Sequence, residues 1–498
     1  MLADPYRELE IRFKRLSDIG GALAFLHWDT AAMMPKGGAS SRADQLAALR
    51  ALSHDIATAP EMADLLAAAK EQTGLTDWQR ANLGEMSRRH AHATALPAAL
   101  VERLSKAASA CETTWREARG EADFRKVLPD FRTLLALVRE SAAAKAEALR
   151  LSPYDALLDE YEPDGRSAEI DPIFADLELF LPDFLKEVLE ARARLPRARP
   201  PEGPFPAEKQ RDLGLRLMKA IGFDFDRGRL DASPHPFCGG TADDVRVTTR
   251  YDEADFTSAI AAVLHETGHA LYELGLPKDW RGQPVGEAPG MSMHESQSLL
   301  IEMQVGRSPE FLAFALPIMK EVLGGEGPGW DADNLQRLYN KVQPSFIRVD
   351  ADEVTYPAHV ILRHKIERAL IEGDMTPDDL PAAWNDLTRA MLGVAPPNDA
   401  LGCLQDIHWF DGAWGYFPTY TLGAMTAAQL FARAEKDRPN LRGEIAGGDF
   451  SGLLDWLRVN IHGRGRRLST RELLETVTGS RLDPDIFKAH LKARYLPS

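Results

Sequence analysis

Residues 265–275 read HETGHALYELG, two histidines four apart with a glutamate directly after the first. The stretch lies within a longer helical pattern. Asp255 is placed to cap it, Phe256, Ile260, Val263, Leu264, Leu271 and Leu274 recur at helical spacing, and Gly275 is placed to end it. On such a helix His265 and His269 stand one turn apart on one face, so two neutral imidazoles can hold one ion. Glu266 sits about 100° further round, where it can face a water without ligating the metal. Gly268 costs up to ~1 kcal/mol inside a helix, which a substrate or another backbone passing close, or tight packing, would explain. With 13 histidines in the chain, chance produces such pairs too, and an ordinary amphipathic helix is the competing reading.

Catalytic zinc takes three protein ligands and keeps one position open. GMSMHESQSLLIEM, residues 290–303, offers the third in Glu295, 26 residues after His269. It reads as the start of a second helix, with Glu295 in its first turn, reached through a loop containing Pro277, Pro284 and Pro289. The competing reading is a solvated carboxylate favoured by the helix dipole.

Away from these two helices the pattern stays mainly α. Asp4 and Pro5 suit a helix start, and MPKGGASS (34–41) is a break after which Ser41 can cap the next helix. The proline-rich segment 191–206 reads as a loop between subdomains of one unit spanning 1–498. DDVRVTTR (243–250) alternates like a half-buried strand, and SFIRVD (345–350) is a second candidate, which together predict one small sheet. The formal charge of −16 and pI of about 5.4 repel nucleic acid and anionic membranes. MLADPYRELE lacks the apolar core of a signal peptide, and no apolar run is long enough to span a bilayer. Cys111, Cys238 and Cys403 are scattered and odd in number, which argues against a disulfide scaffold or a thiolate zinc site. These features lead to the expectation of a soluble, cytoplasmic protein.

Six ordered motifs resemble those of the carboxypeptidase Taq (M32) family of metallocarboxypeptidases. They are HPF at His235, Pro236 and Phe237; DxRxT at Asp244, Arg246 and Thr248; HExxH at His265–His269; HESQ at His294–Gln297; IRVDAD at Ile347–Asp352; and GCLQDIHW at Gly402–Trp409. WDTAAMMPKGG from Trp28 and YDALLDEYEPD from Tyr154 also look familial. The resemblance covers essentially the whole chain. It implies an elongated helical unit with a deep groove and a small sheet beside it, similar to neurolysin and angiotensin-converting enzyme. It also implies a homodimer, one zinc ion replaceable by cobalt, and removal of peptide C-terminal residues one at a time with broad specificity.

Zinc in such a site polarises the scissile carbonyl and lowers the pKa of its water towards ~7, and Glu266 is placed to move the proton. Tyr356 opens a helix that resembles the one carrying the oxyanion-stabilising tyrosine in angiotensin-converting enzyme; a packing tyrosine is the alternative. His359, one turn later, and His408 can also donate to the oxyanion or the peptide, or be buried structural residues. An exopeptidase must grip a free carboxylate, which suits the planar fork of arginine. Arg348 is the first candidate and Arg246 the second. The alternative pairs Arg246 with Asp243 or Asp244, and Arg348 with Asp350 or Asp352. His235 and Phe237 read as structural first and as substrate contacts second, with the glycines after Cys238 allowing a tight turn. Asp406 can orient a metal-ligating imidazole. An oligopeptidase cutting internally on the same metal, an inactive peptide-binding relative and a helical adaptor compete with the carboxypeptidase. Glu266 speaks against the inactive relative, and the six motifs against the adaptor.

Overall fold

A computed structural model describes residues 4–496. It is mainly helical, with 70 % of residues in helices and one three-stranded sheet, as the periodicity predicts. The chain forms two compact units. One takes the chain up to His90, Arg197–Asn340 and Gly423–Leu482; the other takes Ala91–Pro196, Lys341–Leu422 and the chain from Asp483 onward. The boundary at Pro196/Arg197 lies in the proline-rich segment, which is irregular between the helices Ser167–Ala193 and Ala207–Ile221. No helix among the described residues is long and apolar enough to cross a membrane.

The first unit opens with the helix Pro5–Ala32, capped by Asp4, whose carboxylate accepts from the Arg7 N–H at 3.2 Å. Ser41 is not a cap. MPKGGASS makes a 3₁₀ turn, Lys36–Gly38, and the next helix starts at Ala39 with Gly38 at the cap position. The sheet has the order β1-β3-β2, with β1 Gly228–Ala232, β2 Phe237–Thr241 and β3 Asp244–Thr249. β3, the predicted strand, is central, parallel to β1 and antiparallel to β2. Val245 and Val247 are fully buried and pack, with Leu230, against Met218, Val263, Ala270 and Leu274. The sheet therefore supports the HExxH helix, Phe256–Gly275, which Asp255 caps through the Thr257 N–H. Ile260, Leu264 and Leu271 join a larger apolar cluster with Leu300, Phe311 and Leu430. At 100° per residue Val263, Ala270 and Leu274 share one stripe, and His265 and His269 fall nearly opposite it. Burial of the two apolar faces thus settles which way the histidines point.

Two local expectations need correcting, one of a turn and one of a strand. HPFCGG is not a tight turn, because Phe237–Thr241 pairs along β3. SFIRVD is not a strand: Arg348–Asp350 is a 3₁₀ turn. The Gln405 side-chain amide there accepts from the Arg348 N–H at 2.9 Å and donates to the Phe346 carbonyl at 2.9 Å. It supplies the two hydrogen bonds that a neighbouring strand would have supplied. β1 and β2 escaped the sequence reading because each is five residues long and neither alternates in burial.

The second unit packs helices around an aromatic core that includes Trp115, Phe131, Phe410 and Trp414. Its helix Tyr356–Glu372 begins, as expected, at Tyr356.

Candidate metal centre and the other functional residues

His265, His269 and Glu295 offer one ligand atom each within 4.8 Å of one another, the only such cluster found among the described residues. Glu295 Oε2 lies 3.4 Å from His269 Nε2 and 3.8 Å from His265 Nε2. The other ring nitrogens are committed. His265 Nδ1 donates to Glu302 Oε2 at 3.0 Å, and His269 Nδ1 to the His294 carbonyl at 3.1 Å. Both Nε2 atoms are left facing Glu295, the nitrogens that would ligate a metal once free of any proton. Arg307 in turn donates to Glu302 at 2.9 Å.

The electrostatics fit a cation. Burial lowers the His265 imidazole, but the Glu295 charge and the Glu302 hydrogen bond outweigh it and raise it to about 10. Burial raises Glu295, yet the His265 charge and the His269 hydrogen bond hold it down to about 2. His269 is pushed down to about 4 by burial and then by His294. Two carboxylates facing imidazoles whose Nε2 atoms point inward suit a divalent ion with nitrogen and oxygen ligands. Glu266 is buried beside this cluster, and burial raises its carboxyl to about 7 against the pull of His265.

The helix that carries Glu295 is Met291–Leu299, so Glu295 lies beyond its first turn, and the dipole alternative does not describe it. The helix continues as a wider π-helical stretch, Leu300–Gly306, which carries Glu302. Gly268 is explained by another backbone: a Cβ there would come 2.3 Å from the Gln297 carbonyl oxygen and 2.6 Å from Ser298 Cα. Gly423, on the helix Pro418–Asp437, plays the same part behind Glu295, whose Cβ and Cγ would lie 2.8 Å from an added Cβ.

The remaining residues singled out in the sequence fall in different places. In the first unit, Arg246 forks onto Asp244 with two bonds of 2.6 Å and lies over the Trp28 ring at 4.6 Å. His235 is exposed. In the second unit, Arg348 is buried and pairs not with Asp350 or Asp352 but with Asp406, at 2.9 Å through Nη2. Its Nη1 donates to the Tyr356 hydroxyl at 2.6 Å. Arg363, fully buried, donates to the same Asp406 through Nε at 2.7 Å. Asp406 therefore holds two guanidinium groups rather than a metal-ligating imidazole. Burial opposes its ionisation, but Arg363 and Arg348 keep its carboxyl well below the usual range. Burial, then Arg363, pushes His359 down to about 3; burial pushes His408 down to about 4. Both are neutral near pH 7.

Glu302, Glu273, His294, Arg363 and Gly423 escaped the sequence reading as parts of these sites. Two of them had a visible signal. Glu273 is four residues after His269, and Glu302 seven after Glu295, both same-face spacings on a helix.

The profile of the carboxypeptidase Taq (M32) metallopeptidases matches residues 8–495. The chain belongs to this family. It is 41% identical over 491 residues to thermostable carboxypeptidase 1 of Thermus thermophilus, covering 95% of this chain and 94% of that protein. It is 34% identical over 484 residues to carboxypeptidase 1 of Bacillus subtilis, covering 97% and 96%. Among solved structures it is similar to metallocarboxypeptidase 1 of Trypanosoma cruzi, with a TM-score of 0.97 at 41% identity over 99% of both chains. The Pyrococcus furiosus carboxypeptidase aligns over 100% of both chains, with a TM-score of 0.94 at 34% identity. This M32 chain is a metal-dependent carboxypeptidase, and its substrates are peptides.

Proposed function

We propose that this M32 carboxypeptidase holds one zinc ion on His265, His269 and Glu295 and removes residues singly from peptide C-termini, with broad specificity. The observation that carries the reading is the convergence of two Nε2 atoms and one carboxylate oxygen within 4.8 Å, with each Nδ1 already committed. Zinc, or cobalt in its place, supplies Lewis-acid polarisation of a carbonyl and an acidified water when bound.

The chain's own residues do the rest. Glu266, buried and raised towards neutrality, takes a proton from the attacking water and passes it to the leaving amine. Tyr356 donates its phenolic proton to the oxyanion, and the charged Arg348 hydrogen bond to the same oxygen makes that proton easier to share. Neutral His359 and His408 are the alternative donors. Arg348 takes the terminal carboxylate. Support comes from charge balance: Arg348 and Arg363 share one aspartate, so these three buried side chains carry one excess positive charge, which an anion would neutralise. Arg246 is the weaker carboxylate candidate because its fork is already on Asp244. Exposed His235 is a substrate contact in the same reading.

The finer identity follows the same line. A glutamate third ligand makes the site a gluzincin of the neurolysin and angiotensin-converting-enzyme type. The family resemblance carries a homodimer, and three free cysteines fit a reducing cytoplasm.

Chelation should abolish release of the C-terminal residue from an N-blocked dipeptide, and zinc or cobalt should restore it. Full turnover by metal-free protein would sink the proposal. Efficient internal cleavage of amide-capped peptides would favour the oligopeptidase reading.

A further inference from the structure

Two side chains beside His269 take no part in the steps above. We propose that His294 and Glu273 are positioning residues that clamp the His269 imidazole in its ligating orientation. The inference rests on the reading of His265, His269 and Glu295 as metal ligands.

A histidine ligand can lose its aim by rotating about the bond to its ring. One edge of the His269 ring is held by the Nδ1 bond to the His294 carbonyl, at 3.1 Å. Its face is covered by the His294 ring, with centroids 4.4 Å apart and planes 20° from parallel. The same residue thus restrains His269 twice, once through its backbone and once through its ring. The His294 ring is itself fixed, because its Nε2 donates to Glu273 Oε1 at 2.9 Å.

Glu273 stands one turn after His269 on the same helix, so the two residues bracket the His294 ring that reaches across from the neighbouring helix. His294 directly precedes Glu295. A single side chain therefore ties one ligand's orientation to the segment that carries another. This is the outer support that metal-ligating imidazoles use to keep their aim, built here from a histidine and a carboxylate. Glu273 also lines a cavity of about 760 Å³, with Lys14, Asp18 and Arg281 on its walls. An isosteric change at 273 therefore disturbs no closely packed core.

The test compares wild type with Glu273→Gln, His294→Ala and His294→Phe in the full chain. Each protein is stripped of metal, and its melting temperature is taken. Zinc affinity is then measured by competition with a chromophoric chelator, and the visible spectrum of the cobalt form is recorded. Glu273→Gln and His294→Ala should weaken zinc binding roughly 10- to 100-fold and shift the cobalt bands, with the metal-free melting temperature unchanged. Phenylalanine keeps the stack and the carbonyl, so His294→Phe should recover part of the loss.

Zinc affinity within about twofold of wild type and an unaltered cobalt spectrum in these variants would overturn the proposal. So would a lowered metal-free melting temperature with an unchanged cobalt spectrum, which would make the pair a structural tie between helices. If His294→Ala does not fold, Glu273→Gln decides alone. Failure of wild type to bind one zinc would remove the metal reading itself, a separate outcome.

Discussion

Glu266 lies next to His265, a proposed ligand, on the HExxH helix, and its burial lifts its carboxyl to about 7. A base poised there both accepts and returns a proton near neutral pH. Glu266→Gln keeps the shape and removes the acceptor. It should lower kcat on the order of 10²–10⁴-fold with metal content unchanged; a near-normal kcat in a variant shown to contain metal would remove Glu266 from the role. Arg348 poses a different problem, since its fork already touches Asp406 and Tyr356. If it also grips the substrate, Arg348→Ala should cost free-acid peptides roughly 10- to 150-fold in kcat/KM, the range for a charge-assisted bond of ~1.5–3 kcal/mol. Amidated peptides should then suffer little further loss, because their partner group is gone. Equal losses on acid and amide substrates would leave Arg348 as a structural member of the buried network.

Helices and strands carry these residues through close contacts that periodicity does not report. The spacing of Phe256, Ile260, Val263 and Leu264 was enough to place the HExxH helix, because an amphipathic pattern follows from burying one side. The two glycines at which neighbouring segments touch the helices of His269 and Glu295, Gly268 and Gly423, look like any other glycine in a sequence. Gly423→Ala tests the contact that matters most. The added methyl would meet the Cβ and Cγ of Glu295 at 2.8 Å and the Ser292 carbonyl oxygen at 3.1 Å, and neither can swing aside. Zinc affinity, read by chelator competition, should fall by about tenfold or more although no ligand has changed, as for other outer supports. Unchanged affinity would mean that the helix Pro418–Asp437 yields instead. Gln405 gives the complementary lesson. Its amide replaces a strand partner, so a segment with strand-like sequence became a turn.

For the molecule taken whole, protons and metal both couple to stability. Glu367 is fully buried in the second unit, accepts from the Gly415 N–H, and is raised to about 8 by burial. The folded protein keeps this proton after the unfolded chain has released it near pH 4.5. The neutral carboxyl's contribution is therefore fully present below about pH 4.5 and is lost as pH rises towards 8, at up to about 1.4 kcal/mol per pH unit. Urea unfolding of wild type and Glu367→Gln across that window should show wild type losing ground to the variant by several kcal/mol. Parallel pH profiles would place the proton elsewhere. Bound metal should act in the opposite sense: an ion held only by the folded state raises stability by RT ln(1 + [L]/Kd). Chelator should accordingly lower the melting temperature of wild type and lower it less in Gly423→Ala.

The sequence alone was enough for the helical class, the family, and the proposed ligands His265, His269 and Glu295 with the base candidate Glu266. Each depends on local spacing: an i, i+4 pair on a capped helix, a glutamate on the next helix, and motifs in fixed order. Tertiary structure decided the rest. Asp406 could not be assigned to Arg348 and Arg363 in advance, because those partners stand 58 and 43 residues away along the chain. Glu302 and Glu273 carried helical spacing, but only packing showed that their carboxylates meet His265 and His294. The reason is physical. Periodicity reports which face of an element is buried, whereas charge pairing and backbone contact depend on which distant element arrives at that face.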